Sequence, residues 1–408
     1  MIRIAFLLLP LFLNAESLKD LIELATTNND LIVSKQYNEQ SRAKELASKK
    51  SAYFPTIDVG GFYKRDDSPS PFQAGDTLSG FVKVGFDLYD GGKRSSLQNQ
   101  AKELLKSSAY DSKAYKKSLA LQITEDFFNV KSLESLLASR EEAQISLKAQ
   151  LERISRFYDA NMATKDEIDR VQSDFDTNVY NMESIKFQIL SLKSALELKV
   201  GKSVSNLENS SFKKVISSEY ETLDATKALI SQNSSIKYAA ASIDSFYSPR
   251  VRVEDTFSLY SYNRENPQVA LLDNQNALLL TLNFRLFDYG EIEKNKEAVL
   301  LNAQALNSQI NYQTKKQKME HELAKAGITT ANVRITSAKS ALNAATSAFV
   351  TIEKKYNAGI VDYIVYLESL TKKTNSKALY ESGLYELEIA YARLYYFEAK
   401  DIKEELEQ

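Results

Sequence analysis

The sequence predicts a mixed α/β chain made of two copies of one unit, each copy setting a pair of strands among long helices. Three observations carry this. "FDLYDGGKRS" at 86–95 and "FRLFDYGEIE" at 284–293 place Phe86/Phe284, Leu88/Leu286, Asp90/Asp288 and Gly92/Gly290 all 198 residues apart, the mark of an internal duplication. The segments leading into both junctions alternate apolar and polar residues with a period of two, as strands do. The segments leading out carry heptad patterns over more than sixty residues each without a proline, as long unbroken helices require.

Composition narrows the function classes. The chain has 408 residues, a formal net charge of −2, 43% hydrophobic and 26% charged residues; these values exclude global disorder. A near-neutral balance argues against nucleic acid as a partner, because the phosphate backbone needs a basic face. There are only 12 glycines, so turns are few and elements long. The six prolines are Pro10, Pro55, Pro69, Pro71, Pro249 and Pro267. With no cysteine, thiol catalysis, cysteine-based metal sites and a lipid-modified N-terminal cysteine are all excluded.

The elements follow in order. "MIRIAFLLLPLFLNAES" has Arg3, an apolar run from Ile4 to Leu13 and Ala15 before polar sequence, which reads as a signal peptide over 1–15. No other segment approaches the ~20 apolar residues of a membrane helix, so any further membrane crossing falls to strands. Residues 16–200 form the first repeat, 201–222 a linker or a belt around the helices, and 223–408 the second repeat. Each repeat opens with an amphipathic helix, Ser17–Ala52 and about Glu221–Phe246. Pro55 and Pro249 end these helices and admit strands. Ascending strands are expected near 56–64 and 250–260, descending strands near 81–89 and 278–287. One face of the descending strands carries Val82, Val84, Phe86 and Leu278, Leu280, Leu282, with Leu88, Phe284 and Leu286 beyond; the other carries Lys83, Gly85, Asp87 and Thr281, Asn283, Arg285. A soluble sandwich would show the same alternation, but segments of this length also suit tilted membrane strands, with the apolar face in lipid. The polar connections at 64–80 and 261–277 suit a solvent-facing rim.

Helices are expected over 93–158 and 291–356, each about 100 Å long at 1.5 Å per residue. From Leu119, steps of four and three give Ile123, Asp126, Val130, Leu133, Leu137, Arg140, Gln144, Leu147, Leu151, Ile154 and Tyr158. The same register 198 residues later runs from Gln317 to Tyr356, with Ala324, Ala331, Ala338 and Ala345 every seventh residue. Such a seam packs as a coiled coil, and recurrent alanines let helices approach closely. Turns at 159–164 and 357–362 lead into answering helices carrying Ile168, Val171, Phe175, Met182, Ile185, Ile189, Leu192, Leu196 and Tyr366, Leu370, Tyr380, Leu384, Leu387, Tyr391, Leu394. Four strands are too few to close a barrel, so closure needs several chains.

At the two strand-to-helix junctions and the two hairpin turns, "RFYDANMATKDEIDRVQSDF" (156–175) and "KKYNAGIVDYIVYLESL" (354–370), the sequence resembles the TolC-like family of outer-membrane efflux proteins. The resemblance covers nearly the whole chain after the signal peptide. It implies a homotrimer whose chains each give four strands to a twelve-stranded β-barrel in the bacterial outer membrane. The barrel is continued by an α-helical coiled-coil barrel in the periplasm. It also implies partners: a periplasmic adaptor protein and an inner-membrane transporter, docking at hairpin tips formed by Ala160, Asn161, Met162 and Ala358, Gly359, Ile360.

The family closes its periplasmic end with polar contacts between hairpins. On this sequence one such pair falls on Tyr356 and Glu167. A basic residue expected two positions after the turn glycine is Val361 here, and of two acids ringing the constriction one position holds Glu368 and the other Val365. Three copies of Glu368 around an axis would favour cations; an ordinary solvated helix charge fits the same residue. Asp166, Glu167 and Asp169 compete for the lumen-facing position. Gly359 and Asn161 are expected in the left-handed conformation. Tyr89, Phe287 and Tyr289, with Tyr63 and Tyr260 at the other strand ends, fit either interfacial girdles or core packing.

His321, the only histidine, occupies a seam position and faces a packing neighbour. Without a second histidine or a cysteine, no metal site and no catalytic centre of the usual kinds is expected. "GKSVS" at 201–205 lacks the phosphate-loop spacing,, so no cofactor is expected either. The leading function is the outer-membrane duct of a tripartite efflux system for small toxic compounds. The same duct serving type I protein secretion is the alternative, and a coiled-coil scaffold or surface protein is the alternative of another class.

Overall fold

The computed structural model describes residues 16–67, 75–204, 206–217, 219–263 and 271–407. The expected signal peptide lies outside the described residues, as do the middles of the two strand connections. The element order is α1 (Leu18–Asn28), α2 (Asp30–Ser51), β1 (Thr56–Arg65), β2 (Asp76–Tyr89), α3 (Lys93–Asp159), α4 (Lys165–Val200), α5 (Asp224–Asp244), β3 (Arg250–Asn263), β4 (Asn274–Asn283), α6 (Glu291–Asn357) and α7 (Tyr363–Phe397). The two long helices have 67 residues each, within a residue of their expected ends.

The chain divides into two compact units, and each repeat contributes to both. One comprises Gln36–Asp111 and Ala225–Gln313 and holds the sheet. Its four strands pair antiparallel in the order β1-β2-β3-β4, so the hairpin of each repeat is joined to the other through β2 and β3. The register places Ile57 beside Val84, Val82 beside Phe257 and Val253 beside Leu280. Val82, Val84, Phe86, Leu278, Leu280 and Leu282 therefore share one face, as the alternation predicts. The opposite face carries Asp58, Lys83, Asp87, Arg252 and Glu254; Arg252 bridges Asp87 at 3.2 Å and Glu254 at 2.9 Å.

Three strand expectations are corrected. β4 ends at Asn283 rather than 287, so Phe284 and Leu286 lie outside the sheet, exposed; β3 begins at Arg250, opposite Asn283, and offers no ladder partner beyond it. Residues 76–80, 261–263 and 274–277 extend the strands into what reads as loop, because β2 and β3 pair over almost their full length. Tyr260 shares the polar face with Tyr262, ring centroids 6.1 Å apart, whereas Tyr63 is on the apolar face, so the two do not form one girdle.

The other unit comprises the chain up to Lys35, Ser112–Asp224 and Thr314 onward. Its core is the predicted seam: Leu119, Ile123 and Val130 of α3, with Ala324, Ile328 and Ala331 of α6, are buried together with Leu196, Leu387, Tyr391 and Leu394. Each fully buried aliphatic or aromatic side chain contributes about 1.5–3 kcal/mol. Leu384 is exposed instead of joining the seam; Gly383 is buried beside Ile335, where an added Cβ would lie 3.3 Å from Ile335 Cγ1.

The first opening helix is not continuous. Asn29 adopts an extended backbone, its side-chain oxygen accepts from Leu31 and Ile32 N–H, and its amide donates to the Lys199 carbonyl at 2.9 Å. An asparagine that caps one helix and ties down another ends the run, though its apolar periodicity continues. Within 201–222 the chain is tied down at several described residues. Glu16 pairs with Leu207 and Phe212 with Leu406 as isolated bridges. Phe212 N–H donates to the Glu388 carboxylate at 2.8 Å, and the Tyr395 hydroxyl donates to the Lys213 carbonyl. Burial pushes that hydroxyl up to about 12, the bond from Val215 N–H opposing the shift.

Candidate functional site

The duplicated junctions are helix caps. Asp90 accepts from Gly92 N–H at 3.2 Å and Arg94 N–H at 2.9 Å; Asp288 accepts from Gly290 at 3.0 Å and Ile292 at 2.9 Å. Each aspartate satisfies two orphan donors of the long helix. Gly92 and Gly290 both have φ 83°, which turns the chain from strand to helix.

The hairpin turns are equally matched. At the end of α3, Asn161 N–H donates to the Tyr158 carbonyl and Met162 N–H to Phe157; at the end of α6, Gly359 N–H donates to Tyr356 and Ile360 N–H to Lys355. Both are Schellman motifs, with φ 56° at Asn161 and 70° at Gly359, as expected. Thr164 and Asp362, again 198 residues apart, start the answering helices. The six tip residues Ala160, Asn161, Met162, Ala358, Gly359 and Ile360 are exposed, Met162 at 74% and Ile360 at 70%.

Behind the tips a cluster joins the two hairpins. Tyr356 stacks on Tyr366 with centroids 4.9 Å apart and lies near Tyr363 at 6.4 Å. The Arg153 guanidinium of α3 covers the Tyr356 ring at 4.8 Å and donates to Asn357 Oδ1 at 2.9 Å. Tyr363 donates to Asp174 of α4 at 3.3 Å. Burial raises the Tyr356 hydroxyl, with Arg153 opposing and Glu167 reinforcing the shift. Burial likewise holds Asp174 above the usual carboxylate range, the Tyr363 hydrogen bond and Arg170 opposing.

Among the sequence-derived candidates, Glu167 accepts from Thr164 N–H at 2.8 Å, closing the first turn of α4. Asp166 and Glu368 are exposed. Arg153, Asn357, Asp174 and Tyr363 were not singled out from sequence. The signal available was Arg153 one heptad before Ala160, at the end of a helix that already carries the seam. His321 is fully buried, its ring 4.6 Å from Tyr220 and its Nε2 3.8 Å from Glu398 Oε1. No group of metal-binding side chains occurs among the described residues.

With this geometry in view, the comparisons are specific. Residues 21–180 match the family described as outer membrane efflux protein. The chain superposes on the CmeC outer membrane channel of Campylobacter jejuni with a TM-score of 0.84 at 14% identity, covering 94% of this chain and 85% of that one. The chain has the fold of an outer-membrane channel. The same fold recurs in the outer membrane protein VceC of Vibrio cholerae, with a TM-score of 0.81, 13% identity and 94% and 96% of the two chains covered. It recurs again in the open state of the MtrE outer membrane channel of Neisseria gonorrhoeae, with a TM-score of 0.78, 12% identity and 94% and 89% covered. No curated protein matches the sequence. The fold is thus shared at 12–14% identity.

Proposed function

We propose that this chain is the TolC-like outer-membrane duct of a tripartite efflux system. One observation carries the reading: a four-stranded sheet with one apolar and one charged face, whose outer strands β1 and β4 each pair on one side only, is spliced into heptad-seamed helical hairpins. Unpaired edges are satisfied when copies join edge to edge, and three copies give a twelve-stranded barrel with its apolar face in lipid and its charged face lining water. No helix is long and apolar enough to cross a membrane; the strands are the crossing elements of this reading. The exposed tips would meet the periplasmic adaptor and inner-membrane transporter, which supply the energy, so the transport role asks for no catalysis from this chain. A duct for type I secretion would be built the same way, because cargo is chosen upstream.

The gate reading assigns Glu368, with Asp166 and Glu167, to the constriction, and gives Arg153 and the Tyr363–Asp174 bond the task of holding the two hairpins of one chain together. Single-channel recording in a planar bilayer tests it. Wild type is expected to give small cation-selective steps, and Glu368→Ala larger, less selective ones. Absence of steps from folded, detergent-extracted protein would overturn the duct. Unchanged selectivity would remove Glu368 from the gate.

A further inference from the structure

A cleft of about 690 Å³ opens where β2 ends, β3 begins and the chain leaves β4. Four cations line it, Lys93, Arg94, Arg250 and Arg285, together with two acids, Asp87 and Asp90. Both acids are already engaged. Asp87 accepts from Arg250 at 2.9 Å and from Arg252 at 3.2 Å, and Asp90 accepts from Arg94 Nε at 3.0 Å. Lys93 and Arg285 are exposed and have no ion pair among the described residues. The field of Arg285 reaches Asp288, whose oxygens already accept from Tyr247, Gly290 and Ile292. Four positive against two negative charges leave two uncompensated, and one remains when Asp288 is counted as well.

The same cleft has aromatic walls. Phe246 and Phe284 line it, both exposed, and the Lys93 ammonium stands 4.8 Å from the centre of the Phe246 ring. A free cation over one ring and a second free cation beside another suit a flat aromatic body that carries an anionic group. The body packs against phenylalanine, and its oxygens accept charge-assisted hydrogen bonds from Lys93 and from the guanidinium fork of Arg285. An inorganic anion would use the charges and leave both phenylalanines in water. Asp87 and Arg250 alternate onto the face that bears Arg252 and Glu254,, so the cleft belongs to the charged side of the sheet and not to the side bearing Val82 and Leu280.

We propose that this cleft is a binding site for an aromatic organic anion, a sulfonate or carboxylate on a flat ring, travelling along the water-lined side of the sheet. The proposal rests on the duct reading and adds to it a ligand class and a place where that ligand pauses. Binding makes and breaks no covalent bond. Asp87 and Asp90 hold Arg250 and Arg94 in place, which leaves Lys93 and Arg285 as the contacts that tell an anion from a cation.

The test uses the full-length protein in non-ionic detergent, with naphthalene-2-sulfonate as the probe and titration calorimetry as the readout. Lys93→Gln and Arg285→Gln, both exposed and outside the strand ladders, are each expected to bind it about tenfold more weakly, and Phe246→Leu about threefold. Lys83→Gln removes the same charge from the charged face without touching the cleft and is expected to bind as wild type does. Methanesulfonate, which lacks the ring, and naphthylmethylammonium, which reverses the charge, are expected to bind far more weakly; equal binding of either would overturn the ligand class. Equal weakening by Lys83→Gln would mean a diffuse field rather than a site and would overturn the proposal. No binding at all, the result if an acidic side chain of a second copy fills the cleft, would overturn it too. Placement is read in a planar bilayer, where the probe is expected to block Arg285→Gln only at about tenfold higher concentration than wild type. Steps that the probe does not block defeat the anion site and leave the duct standing. Absence of steps from protein that still binds the probe defeats the duct reading and the lumenal placement with it.

Discussion

Tyr289 has φ 55°, in the left-handed region, and occupies the position that Gly91 fills in the first repeat with φ 69°. The first copy needs glycine because an added Cβ would stand 2.4 Å from Ser248 Cβ, whereas Tyr289 is 94% exposed and meets only the backbone cost of that conformation. Gly359 has φ 70° and open space around it. Gly359→Ala is therefore expected to cost about 1–2 kcal/mol and Gly91→Ala distinctly more, read as the difference in denaturant midpoint. Asp90→Ala removes a cap accepting two N–H groups and is expected to cost about 1 kcal/mol. Its counterpart Asp288 adds a pH signature. The 2.7 Å hydrogen bond from Tyr247, followed by those from Ile292 and Gly290 N–H, holds its carboxyl below the usual range. Its contribution is fully present above an ordinary carboxylate value of about 4 and is lost as pH falls through the lower folded value. Tyr247→Phe should flatten the acid limb of a melting-temperature profile, and an unchanged limb would contradict the assignment.

At the scale of elements, the periodic parts were legible and the tethered parts were not. Heptad spacing alone located α3 and α6, because 67-residue helices repeat one physical requirement many times. The caps at Asn161 and Gly359 were legible too, since few residues tolerate positive φ. The break at Asn29 was hidden because its reason is a long-range bond to the Lys199 carbonyl. The tethering of Leu207 and Phe212 was hidden likewise, their partners Glu16, Glu388 and Leu406 lying far off in sequence. The cluster behind the tips has the same character. Arg153 meets Asn357 across 204 residues and Tyr363 meets Asp174 across 189, separations that no local pattern reports. Removing either contact by Arg153→Ala or Tyr363→Phe is expected to cost about 1 kcal/mol, shifting a closed-to-open equilibrium about fivefold. The measurement is closed-state leak conductance. A fall in leak, or no change in either variant, would leave the cluster a packing feature.

At the scale of the whole molecule, the two sheet faces decide between a duct and a soluble assembly, because each predicts a different environment for the same side chains. A scaffold would bury the face bearing Val82, Val84, Leu278, Leu280 and Leu282 against protein or leave it in water. A barrel puts it in lipid. Leu280→Arg separates these outcomes. At the bilayer midplane an arginine on a lipid-facing strand costs about 2–4 kcal/mol, and a symmetric trimer carries that cost three times. On the charged face the same substitution at Thr281 meets water, and its cost is the repulsion from Arg252 directly opposite, about 0.2–1 kcal/mol,. The expected result is that Leu280→Arg protein accumulates without detergent-resistant trimer in the outer-membrane fraction, while Thr281→Arg assembles normally. Equal assembly of the two variants would mean that neither face meets lipid, and a lumen and a gate would lose their basis together with the barrel. Equal failure would point to the strand pairing itself rather than to the solvent on either side. Only the asymmetric result requires a sheet with hydrocarbon on one side and water on the other.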